Sequence, residues 1–143
     1  LGFSAGGAIA ARLAAVEENI ASVLLLATPY RLGDILPLEA AALRDHFLDI
    51  GLIRDPDFPP DLEGWYDHFH KLTPGECVAF VSPRPVGIVH GEDDTLVPPG
   101  HARRLFEHAL DPKRLILLPA ADHHLSRDTR VSGLIRTWLK EVG

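Results

Sequence analysis

The sequence predicts an α/β domain on a mostly parallel, doubly wound sheet, and three observations carry that prediction. Three apolar runs, Val23-Leu24-Leu25-Leu26, Val86-Gly87-Ile88-Val89 and Leu115-Ile116-Leu117-Leu118, are continuous rather than alternating, which is how strands buried on both faces read. Segments of helical spacing lie between and after them, the pattern of strands joined by crossover helices. The 143 residues, 46% hydrophobic and 24% charged, suffice for one domain with a real core.

Residues 8–18 place Ile9, Leu13 and Val16 on one helical face, among alanines that allow close packing on a sheet. The first apolar run follows. Residues 31–80 then break the rhythm. A helical stretch over 38–50 leads to a stiff loop, Asp55-Pro56-Asp57-Phe58-Pro59-Pro60, and to a short aromatic piece with Trp65, Tyr66, Phe69 and His70. An insertion of this length between core strands is expected to be a cap or lid. It holds ten acidic and four basic residues, while the rest of the chain is neutral. After the second run and Pro98-Pro99, residues Ala102, Leu105, Phe106, Ala109 and Leu110 recur at helical spacing until Asp111-Pro112. The final helix carries Val131, Leu134, Ile135, Trp138 and Leu139, with Lys140 where a cation suits the helix dipole.

Composition narrows the function. No apolar run approaches the ~20 residues a bilayer span needs, so no membrane span is expected. One cysteine, Cys77, rules out a disulfide scaffold and reads as a small buried hydrophobe. Twenty acidic residues against fourteen basic ones argue against a nucleic-acid partner. A single cysteine fits a reducing cytosol, so a cytoplasmic location is expected. The chain contains no methionine and opens at Leu1, from which a start partway through a longer protein is expected.

The chemistry-bearing residues cluster at three predicted strand ends. Gly2-Phe3-Ser4-Ala5-Gly6-Gly7 has the Gly-x-Ser-x-Gly spacing of a strand-to-helix turn that exposes a serine hydroxyl. The second apolar run ends in His90-Gly91-Glu92-Asp93-Asp94-Thr95-Leu96-Val97-Pro98, and the third in Ala120-Ala121-Asp122-His123-His124. Sites in parallel sheets lie outside the carboxyl ends of the strands, so a serine, an acid and a histidine would share one rim in that chain order. His46, Asp67, His68 and His70 are potential metal ligands by type. Nothing in their spacing makes three of them converge, and a polar helix face is the expected reading. No metal and no cofactor are expected.

On these motifs the chain resembles the C-terminal portion of an α/β-hydrolase fold serine hydrolase, of the esterase, serine-aminopeptidase or prolyl-oligopeptidase-like branches. The resemblance covers all but the cap at 31–80. The family's Gly-x-x-Asp-x-x-Val-Pro pattern falls on Gly91, Asp94, Val97 and Pro98, which selects Asp94 over Asp93. The family's Gly-Ala-x-His stretch points to His123 over His124, with Ala120 in place of the usual glycine. The resemblance thus implies a triad of Ser4, Asp94 and His123, and an oxyanion donor in the Ala5 amide. It also implies earlier strands and a second oxyanion donor upstream, without which this piece is expected to be poorly stable and catalytically weak. Phe3, Pro29, Tyr30 and Trp65 are expected to contact substrate. The expected activity is hydrolysis of a small ester through an acyl-enzyme, with a small-molecule acyl substrate as partner. The alternatives are a peptidase or amidase of the same fold, a non-catalytic hydrolase-fold binding protein, and a metal-dependent hydrolase. A homo-oligomer, or association with a separate N-terminal portion, is also compatible.

Overall fold

The structure, a computed structural model, describes residues 1–37 and 39–142. Four parallel strands form the sheet in the order β1 (Gly2–Phe3), β2 (Val23–Leu26), β3 (Val86–Gly91) and β4 (Lys113–Leu118). Register runs straight across the site end, with Phe3 beside Leu26 and Leu26 beside Val89. All four residues of β2 are buried. Val23 and Leu25 face one core cluster and Leu24 and Leu26 the other, which is why the run is continuously apolar.

Each crossover advances the chain by one strand in the same direction, so right-handed connections put the intervening helices on one face. Helices α1 (Ala5–Val16) and α5 (Gly100–His108) lie there with a short helix α4 (Pro74–Cys77) and the 3-10 turn Val78–Val81 that continues it. The last helix, α6 (Thr129–Val142), follows β4 and covers the opposite face with Val131 and Trp138.

Two expectations are corrected. The face of α1 that meets the sheet is the small one: Ala8, Ala11 and Ala14 are buried, whereas Ile9, Leu13 and Val16 are 60%, 48% and 53% exposed. Alanines win that face because they let the helix approach the strands closely, which bulkier side chains prevent. The insertion also ends earlier than 80. Cys77, Val78 and Val81 belong to the main core beside β3 and α1, so the separately packed part is 31–73.

Within that part, helices α2 (Ala40–Asp49) and α3 (Leu62–His70) pack on each other through Ala40, Leu43 and Tyr66, flanked by Phe47, Leu62, Trp65 and Phe69. Leu38, the first residue of the expected helix, lies outside the described residues. Asp61 caps α3 by accepting from the Gly64 amide at 3.0 Å. The insertion's two ends are tied at the root, where Leu32 N–H donates to Leu72 C=O (3.1 Å) and Gly75 N–H to Tyr30 C=O (2.9 Å).

Arg84 joins the layers. Its guanidinium donates to the carbonyls of Ala14, Glu17 and Ile20 at 2.8, 2.8 and 3.1 Å, and its Nε to Val81 C=O at 3.0 Å. The carbonyls of Ala14 in the last turn of α1 and of its cap residue Glu17 are thereby bonded by a side chain from the segment leading into β3.

Candidate active site

Ser4 occupies the turn between β1 and α1, with backbone angles φ 51° and ψ −123°. Residues with a Cβ avoid this conformation, and it persists only where surroundings over-determine it. Here they do. Ser4 N–H donates to Leu26 C=O (2.8 Å), and its own carbonyl accepts from Gly7 N–H (2.9 Å). A Cβ at Gly2 would run into the backbone of Gly6 and Gly7, and one at Gly7 into the Thr28 side chain. The glycines are therefore a packing requirement of the turn. Ala5 begins α1, where no preceding helical carbonyl is available to its N–H.

The acid and the histidine are brought together by backbone bonds between the loops that follow β3 and β4. Glu92 N–H donates to Leu118 C=O (2.9 Å) and Asp93 N–H to Ala121 C=O (3.0 Å). This places Asp94 Oδ2 2.8 Å from His123 Nδ1, and His123 Nε2 3.0 Å from Ser4 Oγ. Asp94 is 3% and His123 8% exposed, while Asp93 and His124 face water. The other carboxylate oxygen, Asp94 Oδ1, accepts from the Leu96 and Val97 amides at 3.0 and 2.8 Å. With Asp94 Oδ2 accepting from His123 Nδ1–H, Nε2 is the ring nitrogen turned to the Ser4 hydroxyl.

The residues expected to touch substrate are placed differently from one another. Phe3 is half-buried, with its ring 5.2 Å from that of His123. Pro29 and Tyr30 are buried. Tyr30 packs against Gly75, edge-on to His108 at 5.0 Å and beneath the Arg104 guanidinium at 4.0 Å, so its ring anchors the root of the insertion. Trp65 lies in the insertion's aromatic cluster, 5.9 Å from Phe47, 6.2 Å from Phe58 and 5.0 Å from Phe69. Among the described residues no three or more His, Cys, Asp or Glu side chains form a group that could hold a metal. No described helix is long and apolar enough to cross a membrane.

Two further histidines near the site take backbone partners; the sequence marks His90, at a strand end, as a hydrogen-bonding structural residue, and does not single out His101. His101 Nδ1 accepts from the Tyr30 amide (3.1 Å). His90, fully buried, bonds to the Val97 carbonyl (2.7 Å). Burial lowers the pKa of both imidazoles, so both are held neutral. Burial pushes the Cys77 thiol up, against the opposing pull of Arg12.

Solved structures share this arrangement of strands and helices. The esterase domain of a Rhodothermus marinus protein aligns with 99% of the chain at TM-score 0.70 and 21% identity, and the chain covers 60% of it. The monoacylglycerol lipase of Paleococcus ferrophilus aligns with 99% at TM-score 0.68 and 20% identity, with 67% of that protein covered. The meta-cleavage product hydrolase of Pseudomonas fluorescens IP01 gives 0.66 and 16%, with 64% covered. The chain has the α/β-hydrolase fold. It spans about 60–67% of the length of these α/β-hydrolase structures. By sequence, 46 residues are 44% identical to the uncharacterized protein YfhR of Escherichia coli K12, a match covering 32% of this chain and 16% of that protein. No family model matches the chain.

Proposed function

We propose that this chain carries the catalytic side chains of a serine hydrolase that cleaves small carboxylic esters through an acyl-enzyme. The observation that carries the reading is the unbroken line from Ser4 Oγ to His123 Nε2 and from His123 Nδ1 to Asp94 Oδ2, at 3.0 and 2.8 Å, with the serine on a strained turn. An unaided serine hydroxyl is a weak nucleophile at neutral pH, and a hydrogen-bonded imidazole is what activates it.

In the proposed reaction Ser4 Oγ attacks the ester carbonyl as its proton passes to His123 Nε2. The carbonyl oxygen becomes an oxyanion facing the Ala5 amide at the start of α1. Asp94 keeps the ring in its tautomer and stabilises the imidazolium. His123 then protonates the departing alkoxide, which leaves as the alcohol. Water, deprotonated by the same nitrogen, releases the acid and restores Ser4. Phe3, against the His123 ring at the rim, is the residue best placed to contact the acyl or alcohol group. Esterase and lipase among the structural relatives favour esters over amides.

A p-nitrophenyl acyl ester series, set against matched p-nitroanilides, tests the reading. Esters are expected to be the better substrates. Ser4→Ala and His123→Ala should each lower kcat by about 10⁴- to 10⁶-fold, and Asp94→Asn by about 10⁴-fold. Ester turnover that survives Ser4→Ala would overturn the reading. Faster anilide than ester cleavage would replace the esterase with a peptidase or amidase.

A further inference from the structure

The acid side of the site holds a second buried imidazole that the proton path does not use. His90 lies in β3, four residues before Asp94, and is fully buried. Its Nε2 is 2.7 Å from the Val97 carbonyl and 3.3 Å from Asp94 Oδ2, the oxygen that accepts from His123. A carbonyl only accepts, so Nε2 carries the hydrogen and donates it to Val97. Val97, itself fully buried, is therefore held at both backbone groups: its N–H by Asp94 Oδ1 and its C=O by His90.

The other ring nitrogen makes the assignment sharper. His90 Nδ1 is buried with no hydrogen-bond partner among the described residues, and a second proton there would meet no acceptor. An apolar side chain would fill the same space without burying an unpaired nitrogen. It would not hold the Val97 carbonyl, which would then be the group left buried and unpaired.

We propose that His90 is a positioning residue for the acid: as the neutral Nε2–H tautomer it clamps the 91–97 loop to the end of β3 and aims Asp94 Oδ2 at His123. Its effect on rate rests on the hydrolase reading above, whereas its effect on the Asp94–His123 bond does not. Without the clamp the Val97 carbonyl turns toward water, the loop loosens, and Oδ2 leaves the line of the His123 Nδ1–H. Ser4 and its turn, held by Leu26 and Gly7, are unaffected.

Three substitutions in the native protein test this, read by two measurements. His90→Phe keeps the ring's bulk without a donor, His90→Asn stops short of the Nε2 position, and His90→Gln carries an amide N–H to it. The readouts are the rate of Ser4 labelling by a fluorophosphonate and the far-downfield NMR resonance of the His123 Nδ1 proton, assigned by its loss in His123→Gln. The Phe and Asn variants should label about 10- to 100-fold more slowly, the scale for a misaligned catalytic group, and lose or shift that resonance. The Gln variant should recover both. Cooperative unfolding is checked first, and the Asn variant supplies the comparison where Phe does not fold. A folded Phe or Asn variant that keeps the resonance overturns the proposal, whatever its rate. So does a Gln variant that recovers neither signal, or absence of the resonance in the unsubstituted protein. If the unsubstituted protein takes no label, the hydrolase reading fails and the clamp stands or falls on the resonance alone.

Discussion

Ser4, Ala27 and Ala120 all have positive φ, at 51°, 47° and 55°, and all stand where a strand gives way to the site's rim. For Ser4 the strained turn presents the hydroxyl, so no relief is available without losing the group. Ala120 differs, since its methyl serves no role at the site and the left-handed conformation costs a residue with a Cβ roughly 1–2 kcal/mol. Ala120→Gly should raise the free energy of unfolding by about 0.5–1 kcal/mol after glycine's own entropy cost, measured by urea denaturation. A loss of stability would show that the Ala120 methyl packs favourably. His101 gives the residue scale a pH signature. Its Nδ1 must stay unprotonated to accept from Tyr30, and burial, with Arg104 opposing Asp34 and Asp94, holds its pKa below the ordinary 6.5. Above that value neither the folded nor the unfolded chain binds the proton. Below it the unfolded chain takes up a proton that the native state refuses, so stability falls as pH drops through the interval between the two values. The urea midpoint should decrease from about pH 7.5 to about pH 5.5, and less so in His101→Asn, which keeps an acceptor for Tyr30 but does not titrate. An equal decrease in both proteins would contradict this assignment.

Helix α1 is where sequence pattern and packing diverge. Ile9, Leu13 and Val16 have the apolar spacing of a core face, yet the alanines on the other side are buried in the cluster that α1 shares with β2, α4 and the 78–81 turn. Hydrophobic periodicity ranks by size, whereas close helix-to-sheet approach selects for smallness. Ala11→Leu should cost about 1–3 kcal/mol by overpacking, and Leu13→Lys should stay within about 0.5 kcal/mol of the parent, both by thermal or urea unfolding. A large loss with Leu13→Lys would mean that the Ile9, Leu13 and Val16 face is covered in solution. β2 and β3 were legible because burial on both faces leaves an unbroken apolar run, and β2 and the start of β3 fall where the runs do. The third run lies in the edge strand β4, where only Leu118 is buried. The end of the insertion was not legible. Cys77, Val78 and Val81 sit in an apolar stretch that reads equally well as cap or core, and only their contacts with the sheet decide between the two. The Arg84 clasp also left no trace in the sequence, since every partner of its guanidinium is a carbonyl oxygen.

At the scale of the molecule, four parallel strands in sequential order carry a serine, an acid and a histidine to one rim from three separate strand ends. The Gly-x-Ser-x-Gly spacing, the Gly91, Asp94, Val97, Pro98 pattern and the Ala120-Ala121-Asp122-His123 stretch singled out Ser4, Asp94 and His123, whose side chains the structure brings within hydrogen-bonding distance. The His101 contact was not readable, because a bond to a main-chain amide demands no particular partner residue. The packing of the expected substrate-contact residues was not readable, since it depends on where the insertion folds back: Tyr30 packs at its root and Trp65 in its aromatic cluster. Apolar surface remains on both sides of β1, at Ile9, Leu13 and Val16 of α1 and at Leu1 and Leu139, in a chain that spans about 60–67% of the solved structures sharing its fold. The central claim is that Ser4 is an activated nucleophile. Intact-mass spectrometry before and after a fluorophosphonate tests it most directly. One phosphonyl adduct on the parent protein, absent from Ser4→Ala and from His123→Ala, is the predicted result. A folded protein that takes up no adduct, or one whose adduct persists in Ser4→Ala, would contradict it.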